Sequence, residues 1–167
     1  ITVYFYMHFS YEQRGQETTR SGSHGFENKT EAMYIKIFIR HLIDEGVHKH
    51  YGIAILTPYK GQVAMIENHI GKSMRKSIKY IGTVDGYQGS ENDVIIISMV
   101  RSSNRGKLGF CNDLRRINVT LTRAKKACYV FGHHRTLTRH IHGETNHIKK
   151  MIVDAKQRGL VQRLKYD

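Results

Sequence analysis

A parallel α/β sheet with helices on both faces is the fold class this sequence predicts, and three observations predict it. The apolar runs "GIAIL" (52–56) and "VIII" (94–97) have no polar face and read as strands covered on both sides. Segments with helical spacing separate the strands, so strand and helix alternate along the chain. Neither an internal repeat nor a low-complexity tract interrupts that alternation. With 167 residues and 40% hydrophobic content, residues 1–167 suffice for one domain with a core of its own and are too few for two.

Each element follows from its residues. Residues 3–9, crowded with aromatic side chains on both faces, read as the first strand. Ser10 to Lys29 is polar and contains Gly and Ser; it reads as a long loop (about 10–29), and long loops in compact domains are functional or mobile. Ile35, Phe38, Ile39, Leu42 and Ile43 then recur at helical spacing, with Asn28 and Glu31 placed as a capping pair and Gly46 just past the end. Residues 52–58 read as a buried strand closed by Pro58, and 59–70 as a helix with Val63, Ile66 and Ile70 inward. Strands near 78–84 and 93–100, a helix at 113–124, a strand at 127–132 and a C-terminal helix at about 144–158, carrying Ile148, Met151, Ile152 and Ala155, complete the prediction.

Charge narrows the function. Lys and Arg total 27 against 14 acidic residues, a net charge of +13, which favours a polyanionic partner over a solubilising surface alone. No apolar run approaches the ~20 residues of a membrane helix, and the start "ITVYFYMHFS" has no basic leader and no cleavage site, so the chain reads as intracellular, nuclear or cytoplasmic, with no membrane partner. Cys111 and Cys128 have no metal-ligand spacing and read as reduced thiols. The five histidines between His133 and His147 match no compact tetrahedral site and read as surface residues, so no metal site is predicted. Sequons at Asn28 and Asn118 need no function in such a compartment. An Ile start inside an apparent strand reads as a piece of something longer.

In an open parallel sheet, ligands gather outside the carboxyl ends of the strands. Three polar clusters are predicted there: Thr57, Tyr59 and Gln62 in "LTPYKGQ", the stretch Thr83 to Glu91, and "RSSNRGKLGF" after Val100. Any one of them could be an ordinary capped turn. In "DLRRINVTLTRAK", Leu114, Ile117 and Leu121 share one helical side, and Arg116, Thr120 and Arg123 the opposite one. A solvated basic face often explains such a pattern, but Asn118, Thr120 and Thr122 are mediocre helix formers with little use on a merely solubilising surface. Arginine suits phosphate, because its planar fork stays charged and donates paired hydrogen bonds.

Taken in order and at this spacing, "LTPYKGQ", "TVDGYQGSENDVIIISMVRS" and "GFCNDLRRINVTLTRAK" resemble motifs IV, V and VI of superfamily 1 helicases of the Upf1-like branch. The tail "GHHRTL" with "IVDAKQRG" is more similar to the senataxin side of that branch. The resemblance covers nearly the whole chain and implies a RecA-like P-loop NTPase fold, here the second of two such domains, which clasp ATP between them and nucleic acid across their top. It implies Arg123 as the arginine finger, with Gln88 coupling the nucleotide cleft to the nucleic-acid path. Glu91 and Gly89, with Arg123, would meet the nucleotide. Thr57, Pro58, Tyr59, Gln62, Thr83, Asp85 and Asn118 would line the path of a single strand. Gly86 and Gly89 would let the backbone turn and approach ligand closely. Tyr59 or Tyr87 could stack on a base or simply pack.

Ser90 stands where relatives often carry a basic residue. No GxxxxGK[ST] loop and no acidic DE box is present, and "IENHIGKS" (66–73) is a decoy with Ile66 in place of the first glycine. The chain therefore lacks its own Walker A loop and is not expected to hydrolyse ATP alone; ATP and Mg2+ would be held mainly by the first RecA-like domain of the same polypeptide. The implied function is half of an ATP-dependent 5'-3' helicase, a translocase on single-stranded RNA or DNA, with binding that is weakly sequence-specific and strongly salt-sensitive. The rival readings are a catalytically inactive helicase-like module that only binds nucleic acid, and a basic docking surface for an acidic protein.

Overall fold

The structure, a computed structural model, describes residues 1–8, 18–19, 25–102, 108–139, 143 and 145–165. In chain order the elements are β1 (Thr2–His8), β2 (Thr18–Thr19), β3 (Phe26–Glu27), α1 (Lys29–Asp44), β4 (Ile53–Thr57), α2 (Lys60–Arg75), β5 (Tyr80–Thr83), β6 (Asn92–Ser98), α3 (Leu114–Leu121), β7 (Ala124–His133), α4 (His134–Leu137), α5 (His147–Gln157) and β8 (Val161–Arg163). Six strands form one sheet in the order β5-β4-β6-β7-β1-β8, and every pairing in it is parallel.

Alternation along each strand sends neighbouring residues to opposite faces. Ile53 and Ile55 of β4, with Val94 and Ile96 of β6, meet α1 and α2 through Ile35, Ile39, Ile66 and Ile70. Ala54 and Leu56, with Ile95 and Ile97, meet Ile117 of α3 and Ile148 and Ile152 of α5 on the other face. Both sides are covered, which is why these strands carry no polar face. The aromatic residues of β1 form a stack on the first face: Tyr6 lies against Phe131 at 5.0 Å, and Phe38 of α1 against Tyr129 at 4.7 Å.

The predicted elements are present, with differences at their ends. α1 is capped as expected, Asn28 accepting from the Glu31 N–H at 3.0 Å. Helical hydrogen bonding continues to Arg75 in α2, but Gly71 (φ 70°) breaks the regular backbone where the sequence predicts the end. α3 stops at Leu121, short of the predicted 124, because β7 already starts at Ala124. The four-residue α4 and the edge strand β8 are too short to leave a periodic signal. Most of the predicted 10–29 loop lies outside the described residues; of the remainder, Thr18–Thr19 pairs antiparallel with Phe26–Glu27, and Asn28 is fully buried.

One connection departs from the usual pattern and sets up the site. β5 and β6 are parallel and separated by β4, so residues 84–91 must run from the carboxyl end of one strand back to the amino end of the other. Parallel crossovers ordinarily need about a dozen residues or more and use a helix. Here a single 3-10 turn (Asp85–Tyr87) serves, and Tyr87, 4% exposed, fills the place of a helix's apolar side. Its ring packs on Tyr80 at 4.8 Å, and its hydroxyl accepts from Asn92 Nδ2 at 2.6 Å; burial foremost pushes its pKa up.

Candidate functional site

A cavity of about 150 Å³ opens between this short crossover and α3. Leu56, Val84 and Tyr87 form its apolar floor, Asp85 and Gln88 stand on the crossover side, and Arg115, Arg116, Thr120 and Arg123 on the α3 side. α3 is held at its start by Asp113, whose side chain caps the Arg116 N–H at 3.1 Å, and packs through Ile117 and Thr120. Thr120 is 2% exposed and donates its hydroxyl back to the Arg116 carbonyl at 2.7 Å. The residue predicted to share an outward face with the arginines is therefore buried: a threonine hydroxyl satisfied by its own helix can turn inward.

Arg123 itself is not on the helix. It sits in the turn between α3 and β7, where its N–H donates to the Thr120 carbonyl (3.2 Å) and its carbonyl accepts from the Asn92 N–H (3.1 Å). That second bond ties it to the amino end of β6, next to Glu91. Its side chain is half-buried and lines the cavity, and Nε, shielded from solvent, has no hydrogen-bond partner among the described residues. A buried donor without a partner costs roughly 1–3 kcal/mol, so a group that supplied an acceptor here would be favoured by about that amount.

Arg116 pairs with Asp85 across the mouth of the cavity, while its guanidinium carbon lies 5.0 Å from the centre of the Phe110 ring. Glu91 faces solvent outside the cavity and pairs with Lys125 at 3.0 Å, a hydrogen bond that raises the lysine pKa. Gln88 and Gly89 are exposed, and Gly89 takes a left-handed backbone (φ 80°) that glycine alone adopts freely. At Gly86 the limit is space: a Cβ would come within 3.0 Å of the Tyr80 hydroxyl and 3.1 Å of Thr83 Oγ1.

The predicted residues thus separate into two stations. Thr57 and Thr83 are paired neighbours at the carboxyl ends of β4 and β5. Glu91 and Arg123 lie at the opposite edge, where Asn92 pairs with Ala124. The expectation of one shared carboxyl rim is corrected accordingly: sheet order sends the crossover down one face, and its second half emerges at the amino edge.

At the carboxyl edge, Pro58 and Tyr59 are partly exposed, whereas Thr57 and Gln62 are fully buried. Thr57 Oγ1 has no partner among the described residues. Every hydrogen-bonding group of Gln62 is directed inward: Oε1 accepts from the Asn28 N–H at 2.7 Å, and Nε2 donates to the Asn28 carbonyl at 3.1 Å and to Ser98 Oγ at 3.0 Å. It is a bracket between α1, α2 and β6 rather than an outward contact. Thr83 accepts from the Gly86 N–H at 3.2 Å, and Asn118 is exposed on α3 away from the cavity. Tyr87 belongs to the core, so the stacking alternative rests on Tyr59 alone, whose ring meets Phe26 edge-on at 5.4 Å.

Sequence reasoning placed Glu31 in a cap and Arg101 in the polar cluster after Val100, but missed what each of them holds. Glu31 is read as half of a capping pair, and its carboxylate also accepts from Ser98 Oγ and the Val100 N–H. Arg101, 5% exposed, lays its guanidinium carbon 4.1 Å from the centre of the Phe26 ring. Only the arginine directly after an apolar strand could have signalled it. Among the described residues, no group of three or more His, Cys, Asp or Glu is placed to hold a metal, and no helix is long and apolar enough to cross a membrane. His140 and His142 lie outside the described residues.

The sequence profile of the family described as AAA domain matches residues 2–135. The chain is 36% identical over 136 residues to a regulator of nonsense transcripts 1 homolog of Arabidopsis thaliana, a match covering 78% of this chain and 11% of that protein. It is 33% identical over 150 residues to the probable helicase senataxin of Homo sapiens (88% and 5%), and 37% identical over 136 residues to the ATP-dependent helicase upf1 of Schizosaccharomyces pombe (78% and 14%). It spans only a small part of the length of these relatives. The chain belongs to the AAA domain family, and within it is a Upf1-like superfamily 1 helicase domain with an α/β RecA-like fold.

Proposed function

We propose that this chain is the second RecA-like domain of an ATP-dependent 5'-3' helicase acting on single-stranded RNA or DNA, and that it completes an ATP site whose phosphate loop lies on a first domain of the same polypeptide. The observation that carries the reading is Arg123: a half-buried guanidinium that lines an open cavity beside Gln88, with Nε unpaired among the described residues. Three arginines and an amide against one carboxylate fit an anionic group such as a nucleotide phosphate. ATP would supply the phosphoryl group; Arg123 would place fixed positive charge where negative charge spreads during its transfer. Gln88, on the facing wall, would link that charge to the crossover, which begins at the other station beside Thr83. Glu91 and Gly89 stand at the same edge for the nucleotide, and Mg2+ would be held mainly by the first domain.

Tyr59, Pro58 and Thr83 are the candidates for direct contact with the strand, with Asp85 and Asn118 flanking them and Thr57 and Gln62 supporting from within. Such contacts go chiefly to the phosphodiester backbone, so binding is weakly sequence-specific and weakens steeply with salt, in keeping with the net charge of +13.

The test is ATP turnover by the chain joined to its upstream domain. Arg123→Ala should lower turnover by ~10³-fold or more while the protein stays folded. Unchanged turnover in the folded variant would remove the arginine finger and leave the binding-module reading.

A further inference from the structure

Just past the carboxyl end of β6 lies the one non-glycine residue with a positive φ among the described residues. Val100 is fully buried with φ at 68°, a left-handed conformation that a β-branched residue almost never takes. The Arg101 N–H donates to the Met99 carbonyl at 2.7 Å, closing a tight γ-turn around it. Strain of this kind persists only where the surroundings over-determine it, and it concentrates at functional sites.

The first turn of α1 supplies the determination. Glu31 Oε2 accepts from the Val100 N–H at 2.9 Å and from Ser98 Oγ at 2.6 Å, and Asn28 Nδ2 donates to the Val100 carbonyl at 3.1 Å. Both backbone groups of the strained residue are thus held by one helix start. The turn then throws Arg101 back against Phe26, whose ring meets Tyr59. Gly109 closes the cluster, because a Cβ there would come within 2.7 Å of Arg101 Nη1 and 2.8 Å of the Tyr59 hydroxyl.

We propose that Glu31 is a positioning residue for the nucleic-acid path: it holds the left-handed turn at Val100, and that turn sets Arg101 against Phe26 and Tyr59, the partly exposed residue at the carboxyl edge. The proposal rests on the helicase reading for its substrate. It accounts for a fully buried carboxylate on a helix whose apolar residues alone would suffice for packing. It also explains why the chain tolerates a strained valine beside the edge where a strand would pass.

The test uses the 167-residue chain, a fluorescein-labelled oligouridylate and the ring-current shift of the Arg101 side-chain protons over Phe26. Glu31→Ala should abolish that shift and weaken oligonucleotide binding about tenfold. Adding Val100→Gly should restore both, because glycine takes positive φ without being held there. Val100→Gly alone should bind like the parent. A merely structural carboxylate would not be rescued by glycine at position 100, so failure of the double variant to recover overturns the proposal, as does unchanged binding and shift in Glu31→Ala. If Glu31→Ala does not fold, Glu31→Asp, which draws the carboxyl back by one methylene, is read the same way with and without Val100→Gly. Should the parent chain not bind the oligonucleotide, the track reading fails, and the ring-current shift alone decides whether Glu31 holds the turn.

Discussion

Two polar clusters lie at opposite edges of the same sheet, and they are built on opposite terms. Along the crossover, from its start near Thr83 to the amino edge, Arg116, Arg115, Gln88 and Arg123 surround an open cavity; the ion pairs beside it, Asp85–Arg116 and Glu91–Lys125, join side chains that are 41–58% exposed. At the carboxyl edge, Asn28, Glu31, Gln62 and Ser98 are all fully buried and bonded to one another or to backbone. Exposed pairs are worth little and rearrange easily, whereas buried hydrogen bonds are costly to leave unmade. The open cluster is suited to receiving charge from outside the chain; the closed one is suited to setting a shape in advance.

The largest expected effect tests the first half of that contrast. Arg123→Ala should remove ~10³-fold or more of ATP turnover in the joined protein, yet cost the chain no stability, because the buried Nε that has no partner among the described residues leaves with the side chain. A large loss of stability would mean that the guanidinium serves the domain's interior and that the amino edge is less open than its geometry indicates.

Gln62→Ala addresses the second half. It takes the Gln62 acceptor away from the Asn28 N–H in a closed site, while the Asn28 carbonyl keeps the Ala32 N–H, so urea unfolding should show a loss of roughly 1–3 kcal/mol. Gln88→Ala, at an exposed glutamine on the other station, should cost less than ~0.5 kcal/mol. Equal effects from the two glutamines would erase the distinction between the clusters.

That pair of glutamines also shows how far sequence could reach. The fold was legible because Val94 to Ile97 have no polar face and because Asn28 and Glu31 mark a helix start; both signals are local. Gln62 follows a helix start exactly as an exposed contact would, and nothing in its neighbours distinguishes a bracket from a ligand. The division into two edges was hidden because it depends on strand order: only when β5 and β6 flank β4 must residues 84–91 travel back along the sheet. Arg123 left the predicted helix because Val119, Thr120 and Thr122 weaken it near its end and β7 begins early. Val100 gave no sign of strain, since valine is a residue that a left-handed turn ordinarily excludes.

Thr57→Val sharpens the carboxyl side further. The substitution keeps shape and removes a buried hydroxyl that has no partner among the described residues, so stability should rise by about 1 kcal/mol, or roughly 2–4 °C in Tm. If oligonucleotide binding falls instead while stability stays constant, Thr57 touches the strand in the bound state and the closed edge opens on binding.

The smallest effect concerns pH, where the two edges should again differ. The cations of the open cluster, arginines and Lys125, stay charged across the neutral and mildly acidic range. His134 follows the carboxyl end of β7; burial foremost, then Lys156 of α5 and its neighbour Arg135, lowers its pKa from 6.5. A histidine whose pKa is depressed on folding binds fewer protons folded than unfolded, so its contribution is intact above 6.5 and is lost as pH falls through the lower, folded value. The parent chain should therefore lose stability relative to His134→Gln between pH 7 and pH 5, with no difference between them above pH 7.5. A parent that gained on the variant as pH fell would show His134 accepting its proton more readily when folded, and the carboxyl edge would then hold a negative partner that outweighs Lys156 and Arg135.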